Sequence, residues 1–104
     1  METPIDKLNA KVCSGHLHSK FIVRDAGAPV ELELSEVTEP PTLPKLELFT
    51  LIFRGPAAPH LPQKIYHLEH AKLGTLPIFL TAVGADEDGI LYEAVFNRVR
   101  DRRK

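Results

Sequence analysis

The sequence predicts a small, mainly β domain: six short strands in antiparallel order behind a short N-terminal helix. Three observations predict it. Apolar residues recur with a period of two over most of the chain. Pro- and Gly-rich breaks separate the runs. None of the breaks between the later runs is long enough for a crossover helix. A sheet of this kind must close or fold over to bury its apolar face. A barrel is therefore expected, with a two-sheet sandwich as the alternative.

The helix comes first. Thr3 suits a cap, Pro4 the first helical position and Asp6 the positive end of the dipole. Ile5, Leu8 and Val12 fall at helical spacing and Gly15 ends it, giving a helix over 3–14. The period then changes. Phe21-Ile22-Val23 is β-branched and aromatic, and Asp25-Ala26-Gly27 turns the chain. Val30-Glu31-Leu32-Glu33-Leu34 alternates apolar with acidic, so one face is buried and one wet. Continued, that count puts Glu36 inward; a bulge at Ser35-Glu36, or an early strand end, resolves it.

Glu39-Pro40-Pro41-Thr42-Leu43-Pro44 is a loop, since three prolines remove three donors. Leu46–Phe53 is the most apolar run. Leu46, Leu48 and Ile52 share one face and Phe49, Leu51 and Phe53 the other, so this strand is expected to be central or covered. Arg54–Pro62 is a second Pro-rich connection, long for a hairpin, and long ordered loops often carry function. In Ile65–His70, Tyr66 and Leu68 face one way and His67 and Glu69 the other. Lys72–Thr75 turns the chain into Leu76–Val83, where Pro77 implies an edge or a first position. Gly84–Gly89 reads as an acidic hairpin loop. Ile90–Asn97 closes the set, with Ile90, Tyr92, Ala94 and Phe96 inward, and a basic tail follows from residue 99.

The composition narrows function by exclusion. The chain has 104 residues, enough for one domain with its own core. It carries 13 basic and 14 acidic residues, so no global field draws in nucleic acid or an anionic membrane. No apolar run approaches the ~20 residues a spanning helix needs. The N-terminus has no basic flank and apolar run of the secretory kind, and a cytoplasmic location is expected. Cys13 is the single cysteine and cannot form an internal disulfide. Burial is its commoner fate.

No chemical signature stands out. His16-Leu17-His18 would place two imidazoles on one strand face, and with His67 or Glu69 they offer a zinc set. Alternating polar residues on a half-wet strand explain the same pattern without a ligand, so no metal or cofactor is called for. Cys13, Ser14 or Ser19 beside a histidine lacks any nucleophile-elbow context, so no catalytic residue is assigned. Arg98–Lys104 is the one basic cluster, and a solvated terminus is its commoner meaning than a nucleic-acid contact. Glu93 is expected to face water or to pair with Arg54 or Arg98.

Several segments carry a resemblance when taken in order: Val30–Leu34, Phe49-Thr50-Leu51-Ile52-Phe53-Arg54-Gly55-Pro56, Leu61-Pro62-Gln63, Tyr66–His70, Leu73-Gly74, Phe79-Leu80 and Tyr92-Glu93-Ala94-Val95-Phe96-Asn97-Arg98. Over roughly residues 20–98 the chain resembles the DUF6916 domain proteins, an uncharacterised bacterial family. Lys64 stands where the family pattern has Gly. The resemblance implies no activity. It implies, through genomic context alone, an accessory role in a phage-tail-like assembly.

The residues themselves point to a non-enzymatic interaction module. Arg54, Gln63, His67, Glu69, Glu93, Asn97 and Arg98 form the candidate surface. A protein partner is expected, with a second copy of the chain one candidate, because open strand edges invite pairing. The alternative is a small-ligand-binding barrel or minor enzyme with its site near His67 and Glu69, at a barrel mouth.

Overall fold

The computed structural model describes residues 10–39, 46–58 and 60–99, and only the backbone of 46–47 and 97–99. One helical turn, α1 (Ala10–Ser14), precedes six strands: β1 (Lys20–Val23), β2 (Val30–Thr38), β3 (Leu46–Gly55), β4 (Lys64–His70), β5 (Gly74–Asp86) and β6 (Gly89–Val99). They close into an antiparallel barrel in the order β1-β2-β3-β6-β5-β4. The barrel is therefore the outcome and the sandwich is not. The expected helix start at Thr3-Pro4, the Pro40–Pro44 loop and the tail beyond Val99 lie outside the described residues.

Period-two burial builds the barrel. On β2, Val30, Leu32 and Leu34 are buried while Glu31 and Glu33 point out. The register against β3 shifts between Leu34 and Glu36, so Ser35 is the bulged residue. That shift turns Glu36 outward and lets Val37 pack on the core. On β3, Phe49, Leu51 and Phe53 line the interior, and Ile52 is half-buried on the outer face. This strand lies between β2 and β6 with ten residue pairs to β6 alone, so its central position holds.

Tyr66, Tyr92, Phe49 and Phe53 are the largest fully buried side chains. Phe21 meets Phe53 edge-on at 5.2 Å, and Phe49 stacks on Phe96 at 4.7 Å. These aromatics and the surrounding leucines fill the barrel, as a six-stranded interior requires.

Three expectations are corrected and one, at Pro77, is sharpened. His16-Leu17-His18 is a turn after α1, not a strand, and His18 has φ 68°. The Gly84–Gly89 loop shrinks to a two-residue hairpin, because β5 runs on to Asp86 and pairs it with Gly89. A register shift between Ala82 and Gly84 extends the ladder through the glycine. Pro77 is not at a first position but at a local edge: it pairs with His67 of β4, and the β5–β6 ladder starts only at Thr81, so its missing donor faces no β6 partner. Finally, closure gives every strand two neighbours, so among the described residues the open edges expected are reduced to short unpaired stretches such as residues 74–80 of β5 on its β6 side.

Candidate functional site

Barrel closure depends on the β1–β4 seam, which has only two residue pairs, Ile22↔Glu69 and Val23↔Leu68. Side chains extend it on both flanks. Beyond β1, Arg24 Nε donates to Glu69 Oε1 at 2.7 Å. Asp25 accepts from the His67 backbone N–H, with its Oδ2 3.0 Å from His67 Nδ1. The histidine contact holds the Asp25 carboxyl below its usual range, against a smaller opposing effect of burial. All four side chains are largely exposed, so each contact is weak by itself and acts as register control.

Before β1 the seam is joined by His70, the one buried polar side chain among the described residues. Its Nδ1 accepts from the backbone N–H groups of Lys72 (3.0 Å) and Leu73 (3.1 Å). That fixes the remaining proton on Nε2, which donates to Ser19 Oγ at 3.0 Å. Ser19 Oγ donates in turn to the His16 carbonyl. The ring lies 4.8 Å from His16 and 4.6 Å from Phe21. Burial, then the neighbouring His16 and Lys72, push the His70 pKa below its ordinary value.

The end of the barrel beneath Arg54–Pro62 is shut by two tyrosines. The Tyr92 hydroxyl accepts from the buried Leu61 N–H at 3.0 Å. Tyr66 donates to the Pro62 carbonyl at 2.5 Å, and Lys64 Nζ sits 5.1 Å over its ring. Leu61 is thereby drawn into the core. At the same end Gly89, with φ 137°, lies so close to β3 that a Cβ would stand 1.9 Å from the Gly55 carbonyl oxygen. Arg54 Nη2 donates to Asp86 Oδ2 at 2.9 Å, which lowers the Asp86 pKa; its buried Nε has no partner among the described residues.

Two open clefts flank this loop. One, of about 520 Å³, runs between the start of β2 and Arg54-Gly55-Pro56, with Lys20, Glu33 and Asp88 at its rim. The other, of about 620 Å³, has a floor of small residues from β5 and β6 beneath His60.

The outer face of β4–β5–β6 has a different character. Ile65 and Phe79 are direct cross-strand partners, 57% and 49% exposed. Val95 on β6 is 57% exposed and lies two residues beyond the Thr81↔Glu93 pair, on the side toward Phe79. Pro77 is exposed on the same side of β5.

The candidate residues from the sequence are thus dispersed. His67 and Glu69 are together on the outer wall, each held by the β1–β2 turn. Arg54 is at the far end and pairs with Asp86, so the Arg54–Glu93 pair does not form. Gln63 is exposed at the end of the loop. Glu93 is half-buried between Ile52 and Thr81. The side chains of Asn97 and Arg98, and hence a Glu93–Arg98 pair, lie outside the described residues.

The zinc set does not assemble: His18 faces Glu33 at 3.2 Å, His16 faces His70 and His67 faces Asp25. Among the described residues no three His, Cys, Asp or Glu are placed to hold a metal. No described helix is long and apolar enough to cross a membrane. Cys13 is buried in α1. Sequence reasoning missed Asp25, Ser19, Asp86 and the tyrosine hydroxyls. Only Asp25 had a signal, as the first residue of a turn; Asp86, the Tyr92 hydroxyl and Ser19 act across 31 to 51 residues of sequence, and the Tyr66 hydroxyl reaches back four residues to Pro62.

No curated protein and no solved structure matches the chain. A family model, described as a domain of unknown function (DUF6916), matches residues 8–96 and so takes in α1 and nearly all of the barrel. The chain is a member of the DUF6916 family.

Proposed function

We propose that this protein is a non-enzymatic interaction module that associates with a second copy of itself through the outer face of β4–β5–β6. The single observation that carries this reading is the exposed Ile65–Phe79 cross-strand pair, with Val95 of the neighbouring β6 also exposed. Outward positions of an antiparallel sheet are ordinarily polar, as Glu31 and Glu33 are on β2. A run of large apolar side chains there marks a contact surface. Closure of the barrel gives every strand two neighbours, which supports association through a face over an edge. The net charge of −1 gives little repulsion between copies. An accessory place in a tail-like assembly, the context implied by the family resemblance, would use such a surface. A cytoplasmic location accords with a chain that has one cysteine and so forms no internal disulfide.

Light scattering over a concentration series tests this, alongside affinity capture from the native host. A mass that rises toward the dimer in wild type and not in Phe79→Lys supports it. A strict monomer with nothing captured refutes it. A second reading, a small-ligand site, is favoured by the cleft at Arg54–Pro56. That cleft lies outside the filled barrel and is not lined by His67 or Glu69, so this reading moves the candidate site from those residues to Arg54. Ligand-induced shifts confined to Val30, Arg54 and Asp88 would support that reading instead.

A further inference from the structure

We propose that His70 is an acid-sensitive latch: its protonation releases the β4–β5 turn and opens the β1–β4 seam while the rest of the barrel stays closed. The geometry carries this. His70 Nδ1 is an acceptor for two backbone N–H groups, those of Lys72 and Leu73. A protonated imidazole has two N–H donors and no acceptor. Proton uptake therefore sets an N–H against both backbone donors, and the turn that caps β4 must let go.

Every group facing the ring acts in the same direction or is neutral. His16, from the turn after α1, and Lys72, from the β4–β5 turn, are the basic groups beside it, and both disfavour a further positive charge. Phe21 on β1 adds an apolar wall. Ser19, ahead of β1, can accept from Nε2 in either protonation state. No carboxylate is hydrogen-bonded to the ring, so the imidazolium gains no salt bridge.

The position makes the release matter. His70 directly follows the two residue pairs that close the barrel, and this junction is the shortest of the six. His70–Ser19 is its only side-chain link on that flank among the hydrogen bonds described. On the other flank the His67 ring faces an acceptor, with Nδ1 3.0 Å from Asp25 Oδ2, so no backbone donor is aimed at that ring. The seam is thus built to open from its His70 end. The ordinary histidine value is 6.5, and the His70 value lies below it. Between those two points the opening constant rises by up to about tenfold per pH unit.

Hydrogen exchange of the intact protein from pH 7.5 to 4.5 tests the latch, read as protection factors so that intrinsic rates divide out. The amides of Lys72 and Leu73, followed by those of the β1–β4 seam, are expected to lose protection below pH 6.5, by up to about tenfold per pH unit. The β3–β6 amides are expected to stay protected. In His70→Asn the amide oxygen can take the place of Nδ1 and cannot titrate, so protection at the turn should become independent of pH. Should that variant not fold, the ¹⁵N shifts of the wild-type imidazole decide: the His70 titration must coincide with the loss of protection. Titration of His70 without that loss overturns the proposal. So does loss of equal size throughout β3–β6.

Discussion

Removing the hydroxyl of Tyr92 is the sharpest probe of how the Arg54–Pro62 connection is held. Tyr92 is 1% exposed, and its oxygen accepts the Leu61 N–H at 3.0 Å. Tyr92→Phe leaves the ring and its packing in place but orphans that N–H beside a leucine that is 2% exposed. A buried unpaired donor costs about 1–3 kcal/mol. With roughly 4–8 °C of Tm per kcal/mol for a domain of this size, a midpoint value near 2 kcal/mol lowers Tm by about 8–16 °C. Tyr66→Phe provides the scale. It removes a part-buried donor whose acceptor, the Pro62 carbonyl, lies on an exposed residue that water can reach, so about 0.5–1.5 kcal/mol is expected. Thermal and urea denaturation of the two single variants and the double variant measure both terms. If Tyr92→Phe stays within about 0.5 kcal/mol of wild type, the loop is not held by this bond, and the reasoning fails.

The other expectations concern the hairpin, the outer face and acid stability. Gly89→Ala should cost about 3 kcal/mol or more, since strain at φ 137° adds to the overlap with Gly55; Gly27→Ala, at φ 95° in open space, should cost only about 1–2 kcal/mol. Urea midpoints compare the two, and equal losses would remove the close-approach argument. Phe79→Lys should change stability by no more than about 0.5 kcal/mol, because the ring is half exposed, yet abolish association in light scattering. His70 is held neutral, so in the range below 6.5 the unfolded chain binds the extra proton first; stability is present above 6.5 and falls as pH drops toward the folded value. Asp25 and Asp86 are held below 3.8 and contribute above it, so their loss falls in a separate, more acid range. Denaturant titrations across pH should therefore show two steps in wild type, with the upper one missing in His70→Asn.

What the sequence made legible was whatever a period of two can carry. The wet Glu31 and Glu33 and the inward Ile90, Tyr92 and Ala94 follow from counting alternate residues, and the count also marks Glu36 as the point where a bulge or a strand end must come, which the register resolves as a bulge. Pairing over long separations leaves no such trace. Nothing local at Ile22 names Glu69 as its neighbour, so closure of the barrel by β1 and β4 could be favoured but not located. The alternation rule also misled where a turn imitates it. His16-Leu17-His18 alternates, yet Gly15 before it and a positive φ at His18 make it a turn.

The candidate site was less legible than the fold, for a related reason. Charged side chains such as Arg54 and Glu69 were visible as candidate surface residues, and each is held by one oppositely charged partner. Their partners, Asp86 and Arg24, are set by tertiary register and could not be read. Apolar residues on a strand say only that it is buried somewhere. That Ile65, Phe79 and Val95 face outward emerges once the inward set is known to fill the barrel.

The central claim is that the outer β4–β5–β6 face is a contact surface, and sedimentation velocity over a concentration series tests it most directly. Wild type should shift toward a dimer as concentration rises, while Ile65→Lys and Phe79→Lys remain monomers of unchanged stability. A wild type that stays monomeric at the highest concentration, or a dimer that both substitutions leave intact, would contradict it.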